Sequence, residues 1–452
     1  MRKICLLLSL IGLTGSNLPA NPPIAFIDVN VVPMDEARIL HHQSVIVRSD
    51  VIEHIGPVAD VAIPGDAQRI DGNGSAYLLP GLADMHVHVS KRDDFGLYVL
   101  NGVTTVLHMG GDPVGNVGDI KKILDTGIIT APRIYFAFKI DGEEESTQFL
   151  VDTPARAHSV VDLAKANGYD FIKVYNAISA PVFKALVAEA HKRGMAIIGH
   201  GVRAVGLPKA LFEGQTMVAH AEEFYYTAFA NHTDRALIPK IVAETRRSGA
   251  YVTPNLSAYE VITRQWGRPE QLARYMEDPR TAFMSGAART AWINSDYVMR
   301  SGDLTDVLVF LRDFTMALQT AGVPLLTGTD SPGVPGMFPG FSIHDDLRTL
   351  VESGSSTFQA LSAATRTPGE FIMKTVPRAQ RFGVVAENYR ADLVLVARNP
   401  LDDLRVLESP LGVLCRGRWY TSAQLSEMLQ ERKAKYSVST TNDSFRDAQS
   451  RQ

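Results

Sequence analysis

Short apolar runs alternate with longer helical patterns through the middle of the chain, and this alternation constrains the fold more than any other feature. Each run has the length of a strand, and segments between the runs, such as 181–193 and 303–321, carry apolar residues at helical spacing. Strands that alternate with helices predict a parallel α/β sheet, and eight such units predict a closed (β/α)8 barrel of the TIM type. The eight predicted strands are Leu82–His88, Val103–Met109, Arg133–Phe138, Asp170–Tyr175, Ala196–Gly201, Met217–Glu222, Tyr251–Leu256 and Pro324–Asp330.

Both ends of the chain carry shorter β-rich pieces that turn residues separate. These pieces lie at 25–32, 44–48, 51–55, 391–397 and 411–420. We therefore predict a small composite β-sandwich domain, built from residues 21–77 and 378–425, beside a barrel over residues 78–377. Residues 426–452 are polar and are predicted to form a frayed tail.

The N-terminus is typical of an export signal. Two basic residues precede the apolar run Ile4–Leu13, and small residues follow it up to Ala20. We predict a signal peptide over residues 1–20 and a periplasmic or secreted protein, with a buried N-terminal strand or helix as the alternative. The run is too short for a membrane span, so no stable membrane insertion is expected once it is removed. Only Cys415 would then remain, which excludes an internal disulfide.

Charge and composition exclude one class of partner. The formal net charge is −4 and the basic residues form no stripe, which argues against nucleic-acid binding. We expect a small-molecule substrate instead, and the sequence leaves a homo-oligomer open.

Two histidines sit one residue apart at the end of the first predicted barrel strand, in Asp84-Met85-His86-Val87-His88. Because side chains alternate between the faces of a strand, His86 and His88 point the same way. Further candidate ligands follow at the ends of, or within, later strands: Lys173, His200, His220 and Asp330. Functional groups of a barrel gather at the C-terminal rim, so we expect these six side chains to meet around metal.

Lys173 stands in the apolar run Phe171–Tyr175, where alternation points it into the barrel. An unpaired ammonium there is costly, and a desolvated lysine loses its proton easily. Its amine is then able to add carbon dioxide, giving a carbamate that bridges two metal ions. An ion pair with Asp330 is the structural alternative. For Asp330 itself a helix cap is the alternative, which Pro332 and Gly333 disfavour.

Taken together, these pieces resemble the amidohydrolase superfamily, in particular its imidazolonepropionase-like and dipeptidase-like branch, over residues 24–420. The matching pieces are 80–88, 102–106, Ile172-Lys173-Val174, His200, 219–223 and Thr327-Gly328-Thr329-Asp330, with the returning β strands at 391–395 and 416–418. The resemblance implies a binuclear site that is usually zinc. His86, His88 and Asp330 would hold one ion, His200 and His220 the other, and a carbamylated Lys173 and a hydroxide would bridge them.

Two cations lower the pKa of bridging water, so the site predicts hydrolysis. We expect cleavage of a C–N amide bond in a dipeptide, N-acyl amino acid or cyclic amide, with Asp330 as the base and then the acid. The alternatives are a mononuclear deaminase, a lactone or phosphoester hydrolase of the same fold, and a non-catalytic barrel. Manganese, cobalt or iron also suit such ligands.

Three further residues are candidate substrate contacts: Arg203 for a carboxylate, Tyr226 after the sixth strand, and His108 at the end of the second. Each has a plainer alternative, as a solvated surface residue, a packing aromatic and a structural histidine respectively. The long connection from residue 257 to 302 is a candidate lid, or else a packing elaboration or oligomer contact.

Overall fold

The structure, a computed structural model, describes residues 22–89, 91–110, 117–143 and 149–449, with side chains up to residue 436. The predicted signal peptide lies outside the described residues. Within them, no helix combines the length and the apolar character that crossing a membrane requires.

Strands and helices follow each other in the described chain as a barrel inserted into a terminal β domain. The strands are β1 (Ile24–Val31), β2 (Leu40–Arg48), β3 (Val51–Pro57), β4 (Gln68–Asp71), β5 (Tyr77–Pro80), β6 (Leu82–Val87), β7 (Val103–His108), β8 (Arg133–Asp141), β9 (Phe149–Leu150), β10 (Phe171–Val174), β11 (Ala196–Gly199), β12 (Gln215–Ala219), β13 (Tyr251–Thr253), β14 (Leu393–Val396), β15 (Gly412–Cys415) and β16 (Arg418–Thr421). The α-helices are α1 (Gly96–Leu100), α2 (Val117–Asp125), α3 (Pro154–Ala166), α4 (Ala180–Arg193), α5 (Lys209–Glu213), α6 (Glu222–Thr227), α7 (Ile238–Ser248), α8 (Leu256–Gln265), α9 (Pro269–Glu277), α10 (Gly286–Ile293), α11 (Thr305–Thr320), α12 (Ser342–Glu352), α13 (Thr357–Ala363), α14 (Arg366–Thr375) and α15 (Ser422–Gln449).

The barrel is a parallel sheet with the strand order β13-β12-β11-β10-β8-β7-β6. The strands β6, β7, β10 and β13 are buried along their whole length, as expected for strands covered on both faces. The predicted α/β barrel class is thereby confirmed, and its strand ends point to one rim.

The eighth predicted strand, 324–330, differs from the other seven. It forms only isolated parallel bridges, from Leu325 to Val252 on β13 and from Ser331 to Val87 on β6. Its backbone still hydrogen-bonds both neighbours. The Leu326 amide donates to the Val252 carbonyl (2.9 Å), and the Asp330 amide donates to the His86 carbonyl (2.7 Å). We call residues 324–331 the closing segment, because they complete the barrel without forming a regular ladder.

Gly328 explains how the closing segment fits between the first and seventh strands. A Cβ at this position would lie 2.3 Å from Cγ2 of Thr253 and 2.8 Å from Cβ of His86. Only glycine permits so close an approach, which brings the end of the segment against the histidine-bearing strand.

The terminal domain is a mixed sheet in the order β16-β15-β14-β5-β1-β2-β3, with β4 also paired to β1. The predicted composition from both chain ends is confirmed. Hydrogen bonds connect all eight strands of this domain into one sheet, whose buried apolar side chains form a core of their own. This domain lies beneath the barrel, because β5 leads directly into β6.

The predicted frayed tail is wrong for most of its length, since residues 422–449 form the single helix α15. Polar contacts hold its first turns. Arg432 Nε donates to the Phe283 carbonyl (2.6 Å) and its guanidinium pairs with Asp94, which also accepts from the Tyr436 hydroxyl (3.3 Å). Composition alone suggested disorder, whereas these contacts with the barrel order the helix.

Candidate metal centre

Two histidines and a lysine from neighbouring parts of the rim meet at one point. His86 lies in β6, His88 follows that strand, and Lys173 lies in β10. His86 Nε2 is 3.1 Å from His88 Nε2 and 3.2 Å from Lys173 Nζ. Lys173 Nζ is 3.5 Å from His88 Nε2. The spacing of the two histidines along the strand has therefore placed both rings on one face.

Asp330, at the end of the closing segment, completes this group from the opposite side. Its Oδ1 lies 3.3 Å from His86 Nε2 and 3.1 Å from His88 Nε2. One ligand atom of each of His86, His220 and Asp330 lies within 4.8 Å of the other two. Strands that are far apart in the sequence thus deliver potential metal ligands to one small volume.

His200 and His220 continue the cluster along the rim. The ring centroid of His220 is 4.7 Å from that of His86 and 4.8 Å from that of His200. The structure therefore brings all six predicted ligand positions into one contiguous group. The four imidazoles and the carboxylate are ligand types that bind divalent transition metals.

The spacing of these groups fits a cation. Two ligands that bind one zinc ion tetrahedrally at 2.0–2.1 Å stand about 3.3 Å apart. The nitrogen and oxygen atoms of His86, His88 and Asp330 are 3.1–3.3 Å apart. This donor set therefore suits a shared cation.

Burial sets the protonation of the site. It lowers the pKa of His86 and of His220 well below the usual value, and neighbouring positive groups act in the same direction. Neutral imidazoles have a lone pair available for a metal. Burial opposes ionisation of Asp330, but contacts with His86 and His88 outweigh it and hold the pKa of this carboxyl well below its usual range.

Lys173 is fully buried, and its ammonium contacts histidine nitrogens instead of a carboxylate. Within the described chain, Lys173 and Asp330 form no ion pair. Such a pair is the structural alternative that the sequence leaves open for this lysine. Burial lowers the pKa of Lys173 to about 7, and Lys139 contributes in the same direction. A substantial fraction of the amine is therefore neutral near physiological pH.

Two of the ligand positions have strained backbone. His220 (φ 75°) and Asp330 (φ 58°) both adopt the left-handed region that non-glycine residues avoid. Asn255 supports both. Its Oδ1 accepts from the His220 amide (3.2 Å), and its Nδ2 donates to the Gly328 carbonyl (2.7 Å). This asparagine was not singled out from the sequence, because its role depends on contacts between distant segments.

Adjacent carboxylates stand behind the two later histidines. Glu223 Oε1 lies 2.6 Å from His200 Nδ1, and its Oε2 accepts from Asn176 Nδ2 (2.8 Å) and the Gly201 amide (3.2 Å). Glu222 Oε1 lies 3.6 Å from His220 Nδ1. A carboxylate on one ring nitrogen orients the other nitrogen toward a metal. The sequence His220-Ala221-Glu222-Glu223 carried this signal, although no role was predicted for either glutamate.

Asp84 joins the first strand to the closing segment below the ligands. Its carboxylate accepts from the Thr329 hydroxyl (2.7 Å), the Thr329 amide (3.0 Å) and the His86 amide (3.3 Å). Burial raises its pKa to about 7. These bonds fix His86 relative to Asp330, the two residues that come from opposite ends of the barrel sequence.

His108, a candidate substrate contact, has a structural environment. It is buried, and its Nε2 hydrogen-bonds the Val89 carbonyl at 2.9 Å. Its ring packs between Phe95 and Phe136, with centroids 6.0 and 5.6 Å away. Burial lowers its pKa to about 3. These contacts correspond to the structural alternative that the sequence left open.

The other two candidate substrate contacts lie at the rim. Arg203 is exposed, and Tyr226 is 37% exposed. Tyr226 stands beside Tyr225, with ring centroids 5.6 Å apart, and burial raises its pKa. Neither side chain contacts a metal-ligand position in the described residues.

Two residues that the sequence did not single out flank the cluster. The Tyr175 ring stacks on that of His200, with centroids 4.1 Å apart and planes inclined by 24°. Lys139 Nζ lies 5.5 Å from the centre of the same ring. The strand register identifies Lys139, because Lys139 pairs directly with Lys173 in the barrel sheet.

The insertion over residues 257–302 packs against the loop that follows Asp330. Trp292 Nε1 donates to the Pro332 carbonyl (2.7 Å), and Gln265 Nε2 donates to the Pro335 carbonyl (2.9 Å). The contacts correspond to the packing alternative for this segment, and they steady the loop beside the carboxylate.

Solved structures of similar fold include a dipeptidase and an amidohydrolase. A Xaa-Pro dipeptidase with bound methionine matches with a TM-score of 0.65 and 18% identity, over 88% of this chain and 100% of the other. The bottromycin amidohydrolase matches with a TM-score of 0.72 and 24% identity, over 92% of this chain and 90% of the other. At these identities, the likeness establishes the fold.

Among curated proteins, ochratoxinase from Aspergillus niger is 34% identical over 95 residues. The match spans 21% of this chain and only 18% of the ochratoxinase. A broader match comes from the Amidohydrolase family, whose sequence profile fits residues 77–420. That range runs from β5 to β16 and includes every ligand position described above, so the chain belongs to the amidohydrolase family.

Proposed function

We propose that this chain is a metal-dependent hydrolase that cleaves a C–N amide bond in a small substrate. The substrate classes are dipeptides, N-acyl amino acids and cyclic amides. Two divalent cations are the proposed cofactors, with zinc as the expected metal and a carbamate on Lys173.

The observation that carries this proposal is the crowding of donor atoms at the mouth. His86 Nε2 has three neighbours within 3.3 Å, from His88, Lys173 and Asp330. Each of these groups loses hydration there, and a shared cation would offset that cost for the two imidazoles and the carboxylate.

We assign His86, His88 and Asp330 to one cation and His200 and His220 to the other. The neutral Lys173 amine would attack carbon dioxide, form the N–C bond of a carbamate and release one proton to solvent. The two oxygens of that carbamate suit a bridging position. A carbamate also converts Lys173 from a buried amine into an anion that balances the cations.

When bound, the cations would polarise the scissile carbonyl and make a water molecule more acidic. Asp330 lies at the mouth as an ionised carboxylate, because contacts with His86 and His88 hold its pKa low, so it is in the form that accepts a proton from the attacking water. The C–N bond breaks when Asp330 returns that proton to the leaving amine. The carboxylate therefore ends the cycle in the state in which it began.

The proteins of similar structure support an amide-bond substrate. They include a Xaa-Pro dipeptidase and an amidohydrolase. The main alternatives are a mononuclear deaminase and a lactone or phosphoester hydrolase, and a non-catalytic barrel is the remaining one. A complete donor set that includes Lys173 favours the two-cation hydrolase over each of these.

The test is a substrate screen with protein loaded with zinc in bicarbonate buffer. We expect release of free amino acids from dipeptides or N-acyl amino acids, loss of activity with a chelator, and two metal ions per chain. Ammonia release from amino-heterocycles with one metal ion per chain would favour the deaminase. Turnover of lactones or phosphoesters alone would contradict amide hydrolysis, and failure to retain any metal would favour the non-catalytic barrel.

A further inference from the structure

Lys139 is a cation at the metal centre that the mechanism above does not use. It lies near the end of β8 and is paired in register with Lys173 of β10. In a parallel sheet, side chains of paired residues point to the same face. Lys139 is therefore directed, like Lys173, toward the barrel mouth.

The position of its ammonium group is set by an aromatic ring beside the ligands. Lys139 Nζ lies 5.5 Å from the centre of the Tyr175 ring, and Lys173 Nζ lies 5.1 Å from the same point. That ring stacks on His200. Lys139 thus stands next to the groups that we assign to the cations, on the side of the third and fourth barrel strands.

The main chain leaves room for the stem of this lysine. A Cβ on Gly110 would lie 2.6 Å from Cβ of Lys139 and 3.1 Å from its Cδ. The Gly110 carbonyl also hydrogen-bonds Nδ1 of His88. Gly110 therefore contacts two side chains of the site. Its carbonyl hydrogen-bonds the His88 ring, and its lack of a Cβ lets the lysine stem lie against the loop.

Lys139 forms no direct ion pair in the described chain, although the charge of Asp330 acts on it from a distance and favours the ammonium. The side chain is only partly exposed. By contrast, Lys121 at the outer side of the barrel is paired with Asp170 at 2.7 Å. A partly desolvated ammonium without an anion is unfavourable, and the cost is removed when an anion binds.

We propose that Lys139 binds the free carboxylate of the substrate, and that the enzyme therefore prefers N-acyl amino acids and dipeptides to uncharged cyclic amides. This inference rests on the proposed amide hydrolysis, whose substrate class it narrows. Arg203 was the carboxylate candidate from the sequence. Lys139 replaces it, because Arg203 is exposed whereas Lys139 lies against the ring that stacks on His200.

The test compares matched substrates in matched variants. Zinc-loaded wild type, Lys139→Met, Lys139→Arg and the control Lys184→Met, an exposed lysine on α4, are assayed with N-acetyl amino acids and their carboxamides. Acetate release is measured for both substrate series. Metal content is determined for every protein, because Lys139 is close to the ligands.

We expect the wild type to favour the carboxylates. Lys139→Met should lower kcat/KM for them by about 10- to 100-fold, mainly through KM, as expected for loss of a charge-assisted hydrogen bond. The carboxamides should be hydrolysed as before, Lys139→Arg should restore part of the preference, and Lys184→Met should behave as the wild type.

Two results would overturn the inference. One is a wild type without preference for carboxylates, and the other is an equal loss on both substrate series in Lys139→Met, which would indicate a role in supporting the Lys173 carbamate or the fold. If no amide is hydrolysed, the proposed function fails separately. Calorimetric binding of N-acetyl-L-leucine and its carboxamide to the zinc-loaded proteins then decides the role of Lys139, with the same two outcomes counting against it.

Discussion

Two groups of buried charges lie at opposite ends of the barrel strands, and they differ in how they are compensated. At the strand starts, Arg390 pairs with Asp392 at 2.6 Å, and Arg133 pairs with Asp50 at 2.7 Å. We call these four residues the junction cluster, because they join the β domain to the barrel. At the strand ends, the six predicted metal ligands form the mouth cluster, in which Lys173 has no ion-paired carboxylate in the described chain.

The strand β8 contains this contrast within itself. Its first residue, Arg133, is paired with two aspartates, whereas Lys139 toward its other end has no ion pair in the described chain. Complete pairing makes buried charge part of the scaffold, since its desolvation cost is offset within the protein. Incomplete pairing leaves a cost that only a ligand offsets. The location of the unpaired charges therefore marks the functional end of the barrel.

The largest effect should come from the mouth cluster. Asp330→Asn removes the proposed proton acceptor while it keeps the shape and one oxygen of the side chain. We expect kcat to fall by about 10²- to 10⁴-fold on the best amide substrate, with most of the metal still bound. Steady-state kinetics and metal analysis of the same preparation test this. Near-normal turnover in this variant would reject Asp330 as the proton shuttle.

The junction cluster should respond in stability instead of activity. Asp392→Asn leaves Arg390, which is 3% exposed, without its counterion. We expect the free energy of unfolding to fall by about 3–5 kcal/mol, measured by urea denaturation. The double variant Arg390→Met, Asp392→Leu should recover part of that loss, because it removes both charges of this pair while Arg133 keeps Asp50 as a counterion. A loss below about 1 kcal/mol in Asp392→Asn would mean that the pair is not needed for the scaffold.

Most of the barrel and the ligand positions could be predicted from sequence, because both depend on local pattern. Alternation along β6 placed His86 and His88 on one face, and the rim position of strand ends placed His200 and His220 with them. The same local rules failed where tertiary contacts decide. The closing segment has the composition of a strand, yet it is held by isolated bridges and by side chains such as Asp84 and Asn255.

The missed residues have a common cause. The position of Lys139 beside the site follows only from the register of β8 and β10, and that of Tyr175 follows only from its stacking on His200. The helix α15 was missed because its order depends on Arg432 reaching Asp94, more than three hundred residues away in sequence. Periodicity reports burial of a segment against an unspecified partner, so it does not identify which distant side chain completes a contact.

Glu223→Gln should have a moderate effect on the mouth cluster. Glu223 contacts His200 Nδ1 at 2.6 Å, and a neutral amide orients that ring less strongly. We expect metal affinity to fall by about 10- to 100-fold, measured by competition with a chelator. Glu222→Gln is the matched neighbour. Its effect should be smaller, since Glu222 is 3.6 Å from His220 Nδ1, and a larger effect there would reverse the assignment.

The last prediction concerns Lys173 in metal-free, bicarbonate-free protein. Burial lowers its pKa to about 7 in the folded state, whereas the unfolded chain keeps a value of about 10.4. Between these pH values the unfolded state binds more protons, so stability rises with pH, by at most about 1.4 kcal/mol per unit from this group.

Lys173→Met removes that contribution while it keeps a side chain of similar length. Without metal, we expect the variant to be more stable than the wild type at pH 7, with the difference shrinking as pH rises toward 10. Urea denaturation across this range measures it. With zinc and bicarbonate the order should reverse, because the carbamate on Lys173 lets the wild type gain more Tm from the bound cations than the variant does. Parallel pH profiles of stability for the two metal-free proteins would mean that the charge of Lys173 is already compensated in the native state, as that of Arg390 is. The contrast between the two clusters would then not extend to this lysine.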